Sequence, residues 1–323
     1  MTAGPRVVLV GAGSMGSLHA RVLAQSDRCE LARVVDPDEE VGTAVASRYD
    51  VAWTPELGDL DDADAVIVAA PTEHHHRIAQ DVLAADLPLL IEKPVCAGLP
   101  ESEEIVGIAD KRNLPLVCGL LERFNPAVLT AMALLDQPVH VSASRHSPYV
   151  PRIRTGVAWD LLVHDVDLAI QILGGTEPQR VRGLLGRFHP QSPSSVEDVA
   201  ETVMSFEGDR MATVSASRIS QRKTRYVTIA EVTRLIEVDL LRRDVTVYRH
   251  VALDAATPDG RGYRQQAIIE IPELTTAREP LAAQLDHFLD IVAGVSDAQA
   301  ERQRILPSHR VVSQVLVDHQ AGG

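Results

Sequence analysis

The sequence predicts an α/β protein in two parts. A doubly wound parallel sheet comes first, followed by an α+β region with one large, mostly antiparallel open sheet. Three observations predict this. Short apolar runs alternate with helix-period segments up to residue 118. The first of those runs opens into a glycine-rich turn. Beyond residue 138, strand-like segments follow one another with few helices between them.

Residues 7–10 (VVLV) are wholly apolar, as expected for a strand buried on both faces of a parallel sheet. Gly11, Gly13 and Gly16 follow at once as G-x-G-x-x-G, and from Ser14 the pattern turns helical, with Met15, Leu18, Val22 and Leu23 on one side. In a strand–turn–helix, Gly11 permits the tight turn, Gly13 lets the main chain approach a pyrophosphate, and Gly16 lets helix and strand pack closely. Ser14 and Met15 lie where the N–H groups of the helix start face an anion. Residues 30–35 (ELARVV) form a second strand ending in Asp36, 20 positions after Gly16, where an acid would hold the adenosine ribose hydroxyls. Glycines alone are often only a turn; with Asp36 in place, a Rossmann dinucleotide site is the better reading. No basic residue adjoins Asp36, and its carboxylate would repel a 2′-phosphate, so NAD is favoured over NADP.

A helix is expected over 38–48 and a short strand over 51–53. Residues 65–70 (AVIVAA) read as a buried strand closed by Pro71-Thr72, with a helix over 75–85. Residues 87–91 read as a strand closed by Glu92-Lys93-Pro94, then a helix over 101–112 and a strand over 116–118. In such sheets ligands bind beyond the carboxyl ends of the strands. Gly11, Asp36, Pro71, Thr72, Lys93 and Pro94 all fall there.

The second part is expected to have helices over 125–135 and 160–173, the latter stopped by Gly174-Gly175. Strands are expected over 139–144, 180–188, 196–206, 211–217, 225–230, 235–238, 244–249 and 266–271, with closing helices over 280–292 and 308–317. The domain reading is 1–121 for dinucleotide binding and 122–323 for substrate binding and oligomerisation, with the closing helices free to pack back on the first domain. One face of so large a sheet should be covered by another copy of the chain, in a homodimer or homotetramer.

With 323 residues, 45% hydrophobic and 24% charged, the chain suits two ordinary globular cores. The formal charge of −14 argues against nucleic acid and anionic membrane as partners, and 3% aromatics are too few for base stacking. Cys29, Cys96 and Cys118 fit neither a disulfide framework nor a zinc site, and read as reduced thiols. The first apolar run is broken by Gly11 after four residues, too soon for a signal peptide or membrane span, so a cytoplasmic protein is expected. Three consecutive histidines, His74-His75-His76, cannot all face one ion from a helix, so no metal is expected. His75 is placed near the cofactor and His19 in a structural role. No G-x-S-x-G or other nucleophile signature is present.

Two features carry chemistry. The helix over 160–173 (DLLVHDVDLAIQIL) is apolar nearly all round, except for Asp160, His164, Asp167 and Gln171 on one stripe. Such a stripe lines a cleft facing the nicotinamide or meets internal polar partners; Asp167 and Gln171 fit the second role better. Lys93, between a strand end and a proline, is either held near the cleft or is a surface lysine in a turn. Near a nicotinamide cation, its ammonium would hydrogen-bond a reacting hydroxyl.

Gly11-x-Gly13-x-x-Gly16, Glu92-Lys93-Pro94 and Asp160-x-x-x-His164, in that order, resemble the glucose–fructose oxidoreductase / inositol dehydrogenase / MocA (Gfo/Idh/MocA) family along essentially the whole chain. Pro71-Thr72 with His75 looks like that family's loop after the fourth strand. The resemblance implies a nicotinamide-dependent oxidation or reduction of a sugar or cyclitol. It implies that Lys93, Asp160 and His164 are catalytic. His164 would exchange the hydroxyl proton, Asp160 would position substrate and bias the imidazole, and Lys93 would stabilise the oxygen. Glu92 and Lys93 also border the expected cofactor site.

Arg123 and Asn125, then Arg145, Tyr149, Arg152 and Arg154, are candidate substrate contacts. In an acidic chain, this basic cluster suggests an anionic substrate or a set of internal salt bridges. Both segments look like family members that oxidise C3 of a nucleotide-linked N-acetylhexosamine. The alternatives are a ketosugar or cyclitol reductase or dehydrogenase using the same residues, and a non-catalytic dinucleotide sensor.

Overall fold

A computed structural model describes residues 4–322 apart from 152, 154, 195 and 256–261. The chain folds as two units, one of residues 1–121 and 279–310, the other of 122–278 and 311–323.

The first unit opens with β1 (Arg6–Val10), α1 (Ser14–Gln25), β2 (Glu30–Val35), α2 (Glu39–Arg48), β3 (Ala52–Thr54) and β4 (Ala65–Val68). It continues with α3 (Thr72–Ala84), β5 (Leu89–Ile91), α4 (Leu99–Arg112) and β6 (Leu116–Cys118). The six strands are parallel, in the order β3-β2-β1-β4-β5-β6. Reversal of strand order between β1 and β4 is the topological switch point of a doubly wound sheet. Val7, Val8 and Leu9 of β1, all of β4 and all of β5 are fully buried. That explains apolar runs without alternation: both sheet faces are covered. The strand expected over 65–70 ends at Val68; Ala69 N–H still donates to the Val10 carbonyl at 2.7 Å, and Ala69 and Ala70 line a cleft. The helix expected from 75 begins at Thr72, with Pro71 at its N-cap.

The second unit holds α5 (Pro126–Leu134), β7 (Pro138–His146), α6 (Val163–Ile172), β8 (Arg180–Gly186), β9 (Val199–Ser205), β10 (Met211–Ser217) and β11 (Thr224–Glu231). Then come β12 (Arg234–Asp239), β13 (Asp244–Ala255) and β14 (Gly262–Glu270). Its eight-stranded sheet runs β14-β13-β12-β11-β7-β10-β9-β8. The pairs are antiparallel except β7 with β10. One face buries Val141, Ala143, Val227, Ile229, Ile236 and Val238, toward α5 and α6. On the other, Leu184, Val203 and Met211 stand exposed among polar residues.

The chain then forms α7 (Pro280–Val292), α8 (Ala298–Gln303) and α9 (Leu306–Gly322). Leu281, Leu285, Phe288 and Leu289 of α7 join the core of the first sheet with Leu23, Val34 and Ala46. Arg302 of α8 donates to Asp110 and to the Leu114 carbonyl. Beyond residue 310, α9 belongs to the second unit, where Val315 packs where Gly183 lacks a side chain. Cys29, Cys96 and Cys118 are free thiols. Among the described residues, no helix is long and apolar enough to cross a membrane.

Candidate functional site

In the first unit, a cleft of about 1430 Å³ opens beyond the carboxyl ends of β1, β2 and β4. Gly11, Gly13, Ser14, Met15, Asp36 and Pro71 line it. Gly11 has φ +93°, and a Cβ there would sit 2.6 Å from the Ala69 main chain. A Cβ on Gly16 would lie 1.9 Å from the Gly11 carbonyl oxygen, so Gly16 closes the helix onto the strand. Around Gly13, by contrast, nothing lies within 4 Å of a Cβ position. The start of α1 has neither a side-chain cap nor an acidic residue in its first turn. This open, uncapped cradle fits a pyrophosphate. Asp36 accepts from Ala12 N–H at 2.6 Å with Oδ2 and from Asp38 N–H at 2.9 Å with Oδ1. Its carboxylate therefore ties the end of β2 to the glycine turn and stands on the cleft wall.

The cleft also takes in the 55–60 loop and, from α3, His74, Arg77, Ile78 and Asp81. Sequence reasoning missed these. The apolar spacing of α3 turns His75, Ile78, Ala79 and Val82 inward, and the opposite edge could have been read as a wall. Arg77 is a basic group on that wall, paired with Asp81 at 3.5 Å.

Two of the expected cofactor contacts, His75 and Glu92, are buried and have protein partners. His75 is 1% exposed, and its ring nitrogens face the Pro94 carbonyl at 3.0 Å and the Ala70 carbonyl at 2.9 Å. No polar edge is left for a ligand. Glu92 is buried, with Oε1 2.9 Å from His19 Nε2. Both support the turn that carries Lys93, which is itself half-buried. Thr72 is half-buried at the first position of α3. The three adjacent histidines diverge: His74 borders the cleft, His75 points inward, and His76 meets Glu104.

In the second unit, the expected α-helix over 160–173 is corrected in its first turn. Ala158–Leu162 is a π-turn, with Val163 N–H bonded five residues back to the Ala158 carbonyl, and α6 follows. Such turns cluster at functional sites. The Ala158 N–H is held by Glu197 at 2.8 Å. Asp160 lies in the π-turn and accepts from Arg218 at 3.3 Å. His164 follows in α6, half-buried.

Three of the residues expected to contact substrate have partners within the second unit, as the salt-bridge reading of the cluster had it. Arg145 is 2% exposed; Nε and Nη2 grip Asp165 at 2.9 and 2.7 Å, and Nη1 donates to Glu122 at 2.8 Å. The two carboxylates hold its pKa up against the downward push of burial. Arg225 adds a second cation on Glu122. Burial pushes the Glu122 carboxyl up, but Arg145 and Arg225 bring it below its ordinary value. Arg123 clasps Asp167 through Nε at 2.7 Å and Nη2 at 2.6 Å. Asn125 is buried, caps α5 through Ala127 N–H, and donates to Glu122 and the Leu240 carbonyl. The polar stripe of the helix thus splits. Asp167 meets an internal partner, and Asp165, which the sequence did not single out, anchors the buried arginine. Tyr149 stacks on His189 with ring centroids 3.6 Å apart. Arg152 and Arg154 lie outside the described residues.

Comparison with known proteins decides the family. Residues 5–120 match the model described as "Oxidoreductase family, NAD-binding Rossmann fold", and residues 127–233 match the "GFO/IDH/MocA C-terminal domain". The chain belongs to the Gfo/Idh/MocA oxidoreductase family. Among members of this family, UDP-N-acetylglucosamine 3-dehydrogenase of Acidithiobacillus ferrooxidans is 29% identical over 291 residues, 89% of this chain and 88% of that one. Inositol 2-dehydrogenase of Acidothermus cellulolyticus is 32% identical over 212 residues, 60% of each chain. The solved structure of the Acidithiobacillus enzyme superposes with a TM-score of 0.80, at 27% identity over 98% of this chain and 99% of that one. GenD2 from gentamicin A biosynthesis, solved with NAD, shares the fold at a TM-score of 0.82 and 24% identity, covering 100% of this chain and 96% of that one. The protein is an oxidoreductase of this family with its NAD-binding Rossmann fold.

Proposed function

We propose that the protein oxidises a secondary hydroxyl of a nucleotide-linked N-acetylhexosamine at C3, with NAD rather than NADP as acceptor. The reading is carried by the open cradle at Gly13 in a chain whose two halves both match this oxidoreductase family. NAD, when bound, supplies the hydride acceptor at nicotinamide C4. Gly11, Gly13, Ser14 and Met15 would hold its pyrophosphate, and Asp36 its adenosine ribose. Asp36 and the nearby Asp38 also disfavour a 2′-phosphate.

His164 takes the hydroxyl proton as general base, and returns it when the reaction runs backward. Lys93 donates a hydrogen bond to the same oxygen and stabilises its developing charge. Asp160, fixed by Arg218, positions the substrate. The substrate class rests on the 29% identity with UDP-N-acetylglucosamine 3-dehydrogenase across 89% of this chain. Arg123 and Arg145 lend it no support, since their donors are engaged internally.

Cyclitol oxidation is a second reading, favoured by the 32% identity to inositol 2-dehydrogenase. Assaying NADH formation with UDP-N-acetylglucosamine and with myo-inositol separates the two. Turnover of the nucleotide sugar alone is expected; turnover of inositol alone would overturn the substrate. The exposed Leu184, Val203 and Met211 on the open sheet face support a homodimer or homotetramer through that face. Three reduced thiols are in keeping with a cytoplasmic setting.

A further inference from the structure

Lys93 stands in a turn that three buried histidines hold, each reaching it from a different helix of the first unit. His19 of α1 places Nε2 2.9 Å from the Glu92 carboxylate. His75 of α3 faces the Pro94 carbonyl with Nδ1 at 3.0 Å. His309 of α9 accepts the Val95 N–H at Nε2, 3.2 Å away, while its Nδ1 lies 2.9 Å from the Ile305 carbonyl. The three rings are 3%, 1% and 0% exposed. Their partners are residues 92, 94 and 95, so they grip the chain on both sides of Lys93. An amide N–H can only donate. Nε2 of His309 therefore presents its lone pair, and the ring proton sits on Nδ1, directed at Ile305.

Packing alone does not call for this. An apolar side chain would fill each place without the cost of burying a polar ring. What each imidazole adds is a directed bond to one four-residue turn. A lysine ammonium ends a flexible four-carbon stem, so its resting place depends on how firmly its Cα is held.

We propose that His19, His75 and His309 are positioning residues for hydride transfer, fixing the main chain of residues 92–95 and thereby the place of the Lys93 ammonium. The inference rests on the reading that Lys93 serves the reacting oxygen.

The chain has only three lysines, Lys93, Lys111 and Lys223, so ¹³C-dimethylation of the full protein gives few side-chain signals to assign. The Lys93 signal is the one lost in Lys93→Arg. In His309→Leu and His75→Leu, that signal should move while those of Lys111 and Lys223 stay. With NAD and whichever of UDP-N-acetylglucosamine or myo-inositol turns over, kcat should fall about 10- to 100-fold, as for a displacement of roughly 1 Å, with KM little changed. His309→Gln, whose amide oxygen can accept the Val95 N–H, should recover most of the loss. Folded leucine variants with the Lys93 signal and kcat both unmoved would overturn the inference, while loss of activity in Lys93→Ala would leave the reading of Lys93 standing. Full activity in Lys93→Ala would overturn that reading, and the inference with it. Long-range ¹⁵N–¹H spectra of the wild-type protein add a test that needs no variant to fold. His309 should carry its proton on Nδ1; a proton on Nε2 contradicts the geometry.

Discussion

The two units use polar groups in opposite ways. In the first, the cleft is built from main chain: a glycine turn in which Gly11 and Gly16 leave no room for a side chain, an uncapped helix start, and one carboxylate on backbone N–H groups. In the second, the charged residues around the π-turn and α6 are largely spent on one another. Arg145 is locked between Asp165 and Glu122, and Arg123 is clasped by Asp167. A cluster of basic residues is therefore no sign of an anion site until its internal partners are known, whereas a backbone cradle announces its ligand by what it leaves open.

The largest effect that would break this contrast lies in the buried cluster. Arg145→Leu strands the buried Asp165 carboxylate and leaves Glu122 with Arg225 as its one charged partner, and should cost about 3–5 kcal/mol in denaturant unfolding. An unchanged midpoint would mean that Arg145 is not a structural cation. Gly13→Val comes next. Gly13 has φ −64°, open to any residue, and nothing lies within 4 Å of a Cβ there. The variant should keep its melting temperature and lose NAD affinity about 100-fold, or roughly 2.7 kcal/mol by calorimetry. Gly16→Ala should do the reverse in kind. Its Cβ would meet the Gly11 carbonyl, so stability should fall by about 1–3 kcal/mol.

These examples also mark how far the sequence could be read. The glycine turn was legible because Gly11 and Gly16 admit no side chain, and Asp36 because a carboxylate ends β2 at the fixed distance from that turn. The strands β1, β4, β5 and β6 were legible because burial on both faces leaves no alternation. The burial of Arg145 went unread, although a signal was present: Val141, Ala143 and Arg145 fall on one face of β7, and the first two are plainly core. The π-turn at 158–162 left no mark in the apolar pattern, since it changes the hydrogen bonding and not the residue types. The return of residues 279–310 to the first unit depends on contacts far apart in sequence, such as Arg21 with Glu279 and Arg302 with Asp110.

A smaller effect concerns pH. The Glu122 carboxyl is held below its ordinary value of 4.5 in the folded chain. Its contribution to stability is thus complete above that value and is lost as pH falls through the lower folded one. Unfolding midpoints measured from pH 7 down to pH 3 should decline, and Glu122→Gln should flatten the part of the decline that Glu122 causes. An identical slope in the variant would remove Glu122 from the acid response.

The most direct measurement compares kcat/KM for the wild type, Lys93→Ala, His164→Ala and the double variant, with NAD affinity measured for each. If both side chains serve one reacting oxygen, each single variant should lose about 100-fold or more. The double variant should lose little beyond the worse single, and NAD should bind all four alike. Losses that multiply in the double variant, or a single variant close to wild type, would contradict the account.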